Sequence, residues 1–174
     1  MPFPIAHGLV GASAVAASHP RLSLKDHWLV LLFGALLAIS PDSDFILVWI
    51  FHMRGWHRAF THSIIFALAA GCLMLALLGA GRIREAMAYT LALLSHGLLD
   101  FATTKAGGGV ELWWPFTSER FKLGLIGLSE FGLKPQTRLE SLIEILKGCA
   151  FELLIFAPIF LAILLLRHRL NASS

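Results

Sequence analysis

The sequence predicts an all-α membrane protein, a polytopic helical bundle of about four to five transmembrane helices with one helix broken at Pro41. Of the 174 residues, 57% are hydrophobic and 14% are charged, whereas roughly a quarter of a typical soluble domain is charged. The mean hydropathy is +0.74, and the apolar residues form separate runs of helical length. This length suits one domain, so we expect residues 1–174 to form a single integral-membrane domain.

The same composition excludes other classes of protein. A disordered chain or a charged coiled coil would need many more polar residues. The 14 Lys and Arg exceed the 11 Asp and Glu by a formal net charge of +3, and they form no basic stripe, so no nucleic-acid partner is expected. The expected partner is the lipid of the bilayer, and the oligomeric state stays open.

Five apolar segments divide the chain. The first, residues 5–18, is short and rich in small residues, which favours close helix packing and leaves open whether it crosses the bilayer fully. The second runs from Trp28 to Phe51 and contains Ser40-Pro41-Asp42-Ser43-Asp44. Proline removes a backbone donor and moves the preceding residue out of helical geometry, so the helix should break there. Broken helices at membrane depth occur where they line a cavity.

The third and fourth segments, His62–Ala80 and Ala86–Ala102, are joined by a connector at residues 81–85 and should form a helical hairpin. The fifth, at about residues 149–166, ends in Arg167-His168-Arg169, a basic anchor for the bilayer surface. Each of these segments is long enough to be a helix within or near the membrane.

Residues 103–148, between the fourth and fifth segments, are the most polar part of the chain. Trp113 and Trp114 are typical of a membrane interface, where the ring is buried and the indole N–H stays wet. Residues 137–148 predict a short amphipathic helix with Thr137 as a candidate cap. We therefore expect a long extramembrane segment that contains one short helix.

Threading the segments through a bilayer in alternate directions brings polar residues to one face. The N-terminus, residues 52–61 and residues 103–148 then share that face. A carboxylate at membrane depth is costly and usually faces a cavity, a partner or an ion. Seven residues lie at this depth: His7, Asp42, Asp44, His57, His62, His96 and Asp100.

The basic residues predict which face this is. Short cytoplasmic loops carry an excess of Lys and Arg. The face opposite the polar cluster carries six basic residues near helix ends: Arg21, Lys25, Arg82, Arg84, Arg167 and Arg169. We therefore expect the polar cluster on the outer side of the membrane.

The spacing of these polar residues suits a metal site. His96-Gly97-Leu98-Leu99-Asp100 puts a His and an Asp on one helix face. The whole set has four His and three Asp, a mixture of nitrogen and oxygen donors that suits Zn²⁺, Mn²⁺ or Fe²⁺. Seven donors exceed the needs of one catalytic ion, which favours two ions, or one ion and a base.

Each of these residues also has a structural interpretation. His7 alone is typical of a helix-packing residue, and His57, beside Trp56, is typical of an interfacial loop. The alternative for the other five is a hydrogen-bonded network that holds helices together. Three Asp with only His and Arg58 as partners would still need a cation for balance. Arg58 is either a phosphate clamp or a positive loop residue.

In combination these motifs resemble a known family. His7, Pro41-Asp42-Ser43-Asp44, His57-Arg58-Ala59-Phe60-Thr61-His62-Ser63 and His96-Gly97-Leu98-Leu99-Asp100, followed by Trp113-Trp114-Pro115, are similar to the bacterial inner-membrane metal-dependent hydrolase family named after YdjM. The resemblance covers about residues 5–116. The pattern is also distantly similar to zinc-dependent phospholipase C and the S1-type nucleases.

The resemblance implies an active site as well as a location in the bacterial inner membrane. It would make His96 and Asp100 metal ligands, and Asp42 or Asp44 a ligand or a base. The soluble enzymes also have a late HxxxE motif, which is missing here, so a third ion is not expected. The candidates for a late acidic ligand are Glu130, Glu140, Glu144 and Glu152.

The reaction implied is hydrolysis of a phosphoester in a lipid or lipid-linked head group, by water activated at one or two divalent ions, Zn²⁺ first among them. Arg58 would stabilise the developing charge, and whichever of Asp42 and Asp44 is not bound to metal would orient or deprotonate the water. The alternative is a metal-binding or ion-transporting membrane protein without hydrolytic activity. Transport is disfavoured because the chain has one helix break and no repeat. A structural or regulatory membrane protein is a further alternative.

Overall fold

The computed structural model describes residues 2–19, 24–53, 55–105, 108–125 and 137–172, and these ranges are largely helical. The only strand-like pairing within them is a single antiparallel pair, Val110 with Phe121. The predicted all-α class is therefore confirmed. Six α-helices and three short 3-10 turns follow in order: α1 (Pro4–Ser18), α2 (Leu24–Ile39), a turn (Ser40–Asp44), α3 (Phe45–Ile50), a turn (Phe60–His62), α4 (Ile64–Leu78), a turn (Ala80–Arg82), α5 (Ile83–Thr103) and α6 (Arg138–Ala172).

Helix α1 packs against α2, α5 and α6. Its contact with α2 depends on small residues: a Cβ atom at Gly11 would lie 2.3 Å from the Cβ of Ala38, and one at Gly34 would lie 2.4 Å from Cγ2 of Val15. The two backbones therefore touch, as the small-residue composition of the first segment predicts. This close approach places His7, one turn before Gly11, beside the end of α2.

The predicted break at Pro41 is present as a change of helix type. The α-helical geometry of α2 ends at Ile39, the tighter 3-10 turn follows, and α3 begins at Phe45. The turn buries Pro41 and Asp44. A tighter turn rotates the side chains relative to α2, which directs this carboxylate into the bundle.

Helices α4 and α5 pack together as the predicted hairpin. Ser63 begins α4 as an N-cap, and its hydroxyl accepts a hydrogen bond of 3.0 Å from the N–H of Phe66. Gly79 ends α4 with φ of +86°, a conformation that glycine adopts without strain. A Cβ at Gly71 would lie 2.0 Å from the hydroxyl of Thr90 on α5, so the hairpin is also tightly closed.

The prediction for the C-terminal region was wrong in one respect. A separate amphipathic helix at residues 137–148 and a transmembrane helix from Cys149 were expected, but α6 is one continuous helix of 35 residues. The chain has no helix-breaking residue at the expected join except Gly148, and a Cβ there would lie 2.2 Å from the ring of Phe3. Gly148 therefore serves contact with the start of α1. Thr137 caps the helix as predicted, because its hydroxyl accepts from the N–H of Glu140.

Two helical stretches in the described ranges are long and apolar enough to cross a membrane, His27–Ile50 and Arg138–Leu170. Helices α1 and α4 have 15 residues each, about 22 Å of helix against a hydrocarbon core of about 30 Å. The number of four to five transmembrane helices therefore stays a prediction. Large apolar side chains cover the outside of the bundle, including Leu154 on α6 at 73% exposure, which is the surface that lipid contact requires.

Candidate metal centre

Four parts of the fold contribute to one buried cluster of His and Asp side chains. Helix α1 supplies His7, the 3-10 turn supplies Asp42 and Asp44, the loop before α4 supplies His57 and His62, and α5 supplies His96 and Asp100. Three overlapping groups have one ligand atom per residue, all within 4.8 Å of one another: His7 with Asp42 and His96, His62 with His96 and Asp100, and Asp42 with Asp44 and His57. The structure thus brings all seven predicted residues together, and their roles as ligands stay a prediction.

The two imidazoles of His62 and His96 meet at the centre of the cluster. Their Nε2 atoms lie 2.9 Å apart. Oδ1 of Asp42 is 3.6 Å from Nε2 of His62 and 3.5 Å from Nε2 of His96, and Oδ2 of Asp100 is 3.7 Å from Nε2 of His62. Donor atoms around a tetrahedral ion with bonds of 2.0–2.1 Å are about 3.3 Å apart. Each of these four distances is close to that value, so His62 and His96 could share an ion with Asp100, the group whose ligand atoms all lie within 4.8 Å of one another, and Asp42 lies beside both rings.

Hydrogen bonds fix the tautomers of both rings. Nδ1 of His96 is 2.6 Å from the carbonyl oxygen of Ala38, which can only accept, so this nitrogen carries the proton. Nδ1 of His62 is 2.9 Å from the hydroxyl of Thr61, which itself donates to Oδ2 of Asp44 at 3.0 Å. The Thr61 hydroxyl therefore accepts from His62 Nδ1. Neutral rings held in this way turn two Nε2 lone pairs toward each other, an arrangement that needs a cation or an additional proton between them.

Several buried polar atoms of the cluster lack hydrogen-bond partners within the described residues: Nδ1 and Nε2 of His7, Oδ1 of Asp42, Nε of Arg58, and both carboxylate oxygens of Asp100. His7 and Asp100 have no exposed surface. Nε2 of His7 is 3.5 Å from Oδ1 of Asp100, and Nε of Arg58 is 3.3 Å from Oδ2 of the same carboxylate. Buried polar atoms normally have partners, so these atoms fit the coordination of an ion or the binding of a ligand.

The charges lead to the same conclusion. With neutral imidazoles, three carboxylates and the guanidinium of Arg58 leave the cluster with a formal charge of −2. A divalent cation would cancel this charge, and uncompensated buried charge is strongly unfavourable. The donor set therefore fits a divalent metal ion.

Asp44 has a different environment from Asp42. Its Oδ2 accepts from the backbone N–H of Arg58 at 2.9 Å and from Thr61, and its Oδ1 is 2.9 Å from Nδ1 of His57. The carboxylate is thus occupied by donors from the protein. It holds the His57 and His62 rings in place, which is the usual role of a carboxylate behind metal-site histidines.

The loop that carries His57 and His62 is held from both sides. A Cβ at Gly97 would lie 2.3 Å from the carbonyl oxygen of His62, so only glycine lets α5 approach this loop. On the other side, the backbone N–H of Glu111 donates to the carbonyl of Arg58 at 3.0 Å. Arg58 has φ of +62°, a left-handed conformation, at the point where the loop turns into the cluster.

Sequence reasoning missed Thr61 and Arg120. Thr61 lies within a motif already noted, and its hydroxyl is the group that orients His62. Nη2 of Arg120 donates to the carbonyls of Gly55 and His57 at 2.7 and 3.1 Å, and the same side chain pairs with Glu111. No pattern in the sequence indicated Arg120, because it lies 63 residues after His57 in a polar segment.

Of the four late glutamates considered as ligands, the three that the structure describes lie outside the cluster. Glu152 is fully buried, and its carboxylate accepts from the backbone N–H groups of Phe3 and Ala6, which caps the start of α1. Glu140 belongs to the cap of α6, and Glu144 pairs with Lys147. Glu130 lies outside the described residues. None of the three that are described adds to the metal donors.

A family comparison agrees with the sequence motifs. The model of the YdjM inner membrane protein family matches residues 1–170. The chain belongs to this family. The inner membrane protein YbcI of Escherichia coli (strain K12) is 40% identical over 100 residues, a match that covers 53% of this chain and 57% of YbcI. Both descriptions indicate an inner-membrane location.

The wider resemblance finds no support. No solved structure matches this chain, and neither matching description mentions a phospholipase, a nuclease or any hydrolase. Membership of the YdjM family therefore establishes the relationship and the membrane. The metal, the reaction and the substrate have to be argued from the residues.

Proposed function

We propose that this protein is a membrane-embedded, metal-dependent hydrolase that cleaves a phosphoester in a lipid or lipid-linked head group. The observation that supports it most is the pair of Nε2 atoms of His62 and His96, 2.9 Å apart with both Nδ1 protons committed elsewhere. Two lone pairs and nearby carboxylates form a ready cation site. We place this site on the outer side of the membrane, because basic residues concentrate at the opposite helix ends.

His62, His96, Asp42 and Asp100 would hold the first ion, most suitably Zn²⁺, with Mn²⁺ or Fe²⁺ as alternatives. His7, stacked on His96 with ring centroids 3.8 Å apart, would complete the set through its free nitrogens. A second ion could use Asp42, Asp44 and His57 if Asp44 exchanged its hydrogen bonds from His57, Arg58 and Thr61 for that ion. A bound divalent ion would supply Lewis-acid activation of water and of a phosphoryl oxygen.

The remaining groups suit acid–base work and charge stabilisation. With Nδ1 of His57 donating to Asp44, Nε2 is the acceptor nitrogen of the neutral ring, and the His57 side chain is 20% exposed whereas that of Asp44 is fully buried. His57 can therefore accept a proton from water while Asp44 stabilises the resulting positive ring. This role competes with its role as a second-ion ligand. Arg58, which touches Asp100, would stabilise charge on the phosphoryl group.

The position of the cluster supports a lipid substrate. Exposed aromatic side chains surround its loops, including Trp49, Trp56 and Trp113. Such rings favour the level of the lipid head groups. A site at that level can meet a phosphate without extracting the lipid from the bilayer.

The test is made on the full chain purified in detergent. Bound metals are measured by elemental mass spectrometry, and head-group or phosphate release is measured over a panel of phospholipids. The variants are Asp100→Ala and His96→Ala, with His168→Ala on the exposed end of α6 as the matched control. We expect about one or two divalent ions per chain and metal-dependent release, both lost in the two cluster variants and both kept in the control.

Other outcomes are equally informative. A wild-type protein without stoichiometric metal refutes the proposal. Stoichiometric metal without release from any lipid refutes the hydrolase and favours a metal-binding or ion-transporting protein.

A further inference from the structure

A small cavity lies beside the metal cluster and is not used by the proposed chemistry. It has a volume of about 200 Å³ and is lined by seven residues: Gly55, Trp56, Ala59, Phe60, Glu111, Trp114 and Ser118. Typical sites for drug-sized molecules have volumes of roughly 300–1,000 Å³. The cavity therefore suits a small group at the end of a larger molecule.

Three aromatic rings form much of its wall. The ring centroids of Trp56 and Phe60 are 5.6 Å apart at an interplanar angle of 77°, and those of Phe60 and Trp114 are 5.8 Å apart at 55°. All three rings belong to the lining of this cavity. The faces of Trp and Phe carry negative electrostatic potential and attract an ammonium group, most strongly where water is excluded.

The cavity also holds one carboxylate. The Glu111 side chain is 10% exposed, and Nε and Nη2 of Arg120 both donate to its Oε1, each at 3.1 Å. A largely buried carboxylate in the lining, held in place by Arg120, adds negative potential to that of the aromatic faces.

Backbone contacts connect this cavity to the metal cluster. The N–H of Glu111 donates to the carbonyl of Arg58, and Trp56 and Ala59 flank the His57-Arg58 pair in sequence. The cavity therefore adjoins the loop that carries Arg58, and the ligand considered has a phosphate at Arg58 and an ammonium group in the cavity. Zwitterionic phospholipids have this arrangement, with two carbons between the phosphate oxygen and the nitrogen.

We infer that the cavity formed by Trp56, Phe60, Trp114 and Glu111 binds the ammonium head group of a zwitterionic phospholipid. The choice of a phospholipid as the ligand rests on the proposed function. The choice of an ammonium head group rests on the residues that line the cavity. It predicts that ethanolamine and choline lipids are bound in preference to glycerol lipids, whose head groups carry no cation.

The experiment measures binding without turnover. The full chain in detergent is mixed with phosphatidylethanolamine, phosphatidylcholine or phosphatidylglycerol of identical acyl chains, and retained lipid is counted by native mass spectrometry. Soluble phosphoethanolamine and phosphocholine are tested in parallel. Trp114→Ala removes one wall of the cavity, and Trp113→Ala removes its neighbour, which is 52% exposed and does not line the cavity.

We expect the wild type to retain the two zwitterionic lipids about tenfold better than phosphatidylglycerol, which is the scale of a partly desolvated cation–π site. Trp114→Ala should lose this preference, and Trp113→Ala should keep it. Glu111→Gln keeps an acceptor for Arg120 but removes the negative charge, so it should also reduce the preference for zwitterionic lipids. If Trp114→Ala fails to fold, the lipid preference of Glu111→Gln tests the inference.

Equal retention of phosphatidylglycerol, or equal effects of the two tryptophan variants, would overturn the inference. If the protein bound the soluble head groups but showed no preference among the lipids, the ligand would be a soluble molecule and the inference of a phospholipid ligand would be wrong. Selective retention without hydrolysis would refute the proposed enzyme and leave the head-group site intact. Hydrolysis of all three lipids at equal rates without selective retention would refute the head-group site and support the proposed enzyme.

Discussion

Replacing Gly97 with alanine should weaken metal binding although it alters no donor side chain. The added Cβ would lie 2.3 Å from the carbonyl oxygen of His62, whereas real Cβ contacts are essentially never below 3.0 Å. Helix α5 or the loop must therefore move until this contact opens to at least 3.0 Å. The movement exceeds the tolerance of about 0.2 Å in a metal–ligand distance. It also directly separates His62 from His96, the residue before Gly97.

We expect metal affinity to fall by about 10- to 100-fold, as for other changes behind the ligands, and the free energy of unfolding of the metal-free protein to fall by about 1–3 kcal/mol from overpacking. Affinity is measured by competition with a chelator of known affinity. Gly81→Ala is the matched control, because a Cβ there meets no atom within 4 Å. A Gly97→Ala protein that holds its ion as tightly as the control would refute the reasoning that this close approach sets the geometry of the site.

Three other predictions follow from the same contacts. Removal of metal with EDTA should lower the melting temperature of the detergent-purified protein, because an ion present at 100 times its Kd adds about 2.7 kcal/mol of stability; an unchanged melting curve would exclude a resident ion. Glu152→Ala leaves two N–H groups at the start of α1 without their acceptor and should cost about 1–3 kcal/mol of unfolding free energy, while Glu144→Ala on the same helix should cost less; equal melting temperatures for the two variants would contradict this cap. Arg120→Ala releases the backbone around His57, so lipid hydrolysis should fall about tenfold with metal content unchanged, and parallel loss of both would show a general collapse of the loop instead.

The fold and the convergence of the polar residues were accessible from the sequence because both depend on simple periodicity. Apolar runs define helices, and the tight connectors between them force alternate directions, so polar residues near alternate helix ends meet. The break at Pro41 was accessible because proline acts on the local backbone. Each of these features depends on neighbours in sequence or on the direction of a helix.

Other features depend on contacts that no local pattern encodes. The continuity of α6 was mispredicted because the change from polar to apolar composition after Gly148 resembles a helix boundary. A helix continues through such a change unless a residue there breaks the backbone hydrogen bonding. Arg120 was missed because its partners, the carbonyls of Gly55 and His57, are defined by the fold. Backbone acceptors have no sequence signature, so residues that orient a loop through them are found only in a structure.

Asp42 and Asp44 show the same limit at the level of chemistry. They have the same side chain and lie two residues apart in one turn, so the sequence does not distinguish the ligand from the base. The structure surrounds Asp44 with donors from Arg58, Thr61 and His57, whereas Oδ1 of Asp42 receives no hydrogen bond from the described residues and faces two imidazole nitrogens. A carboxylate with free lone pairs can bind an ion, and one already occupied by donors can better orient its neighbours. The different roles proposed for these two acids thus follow from which donors the folded loop brings to each.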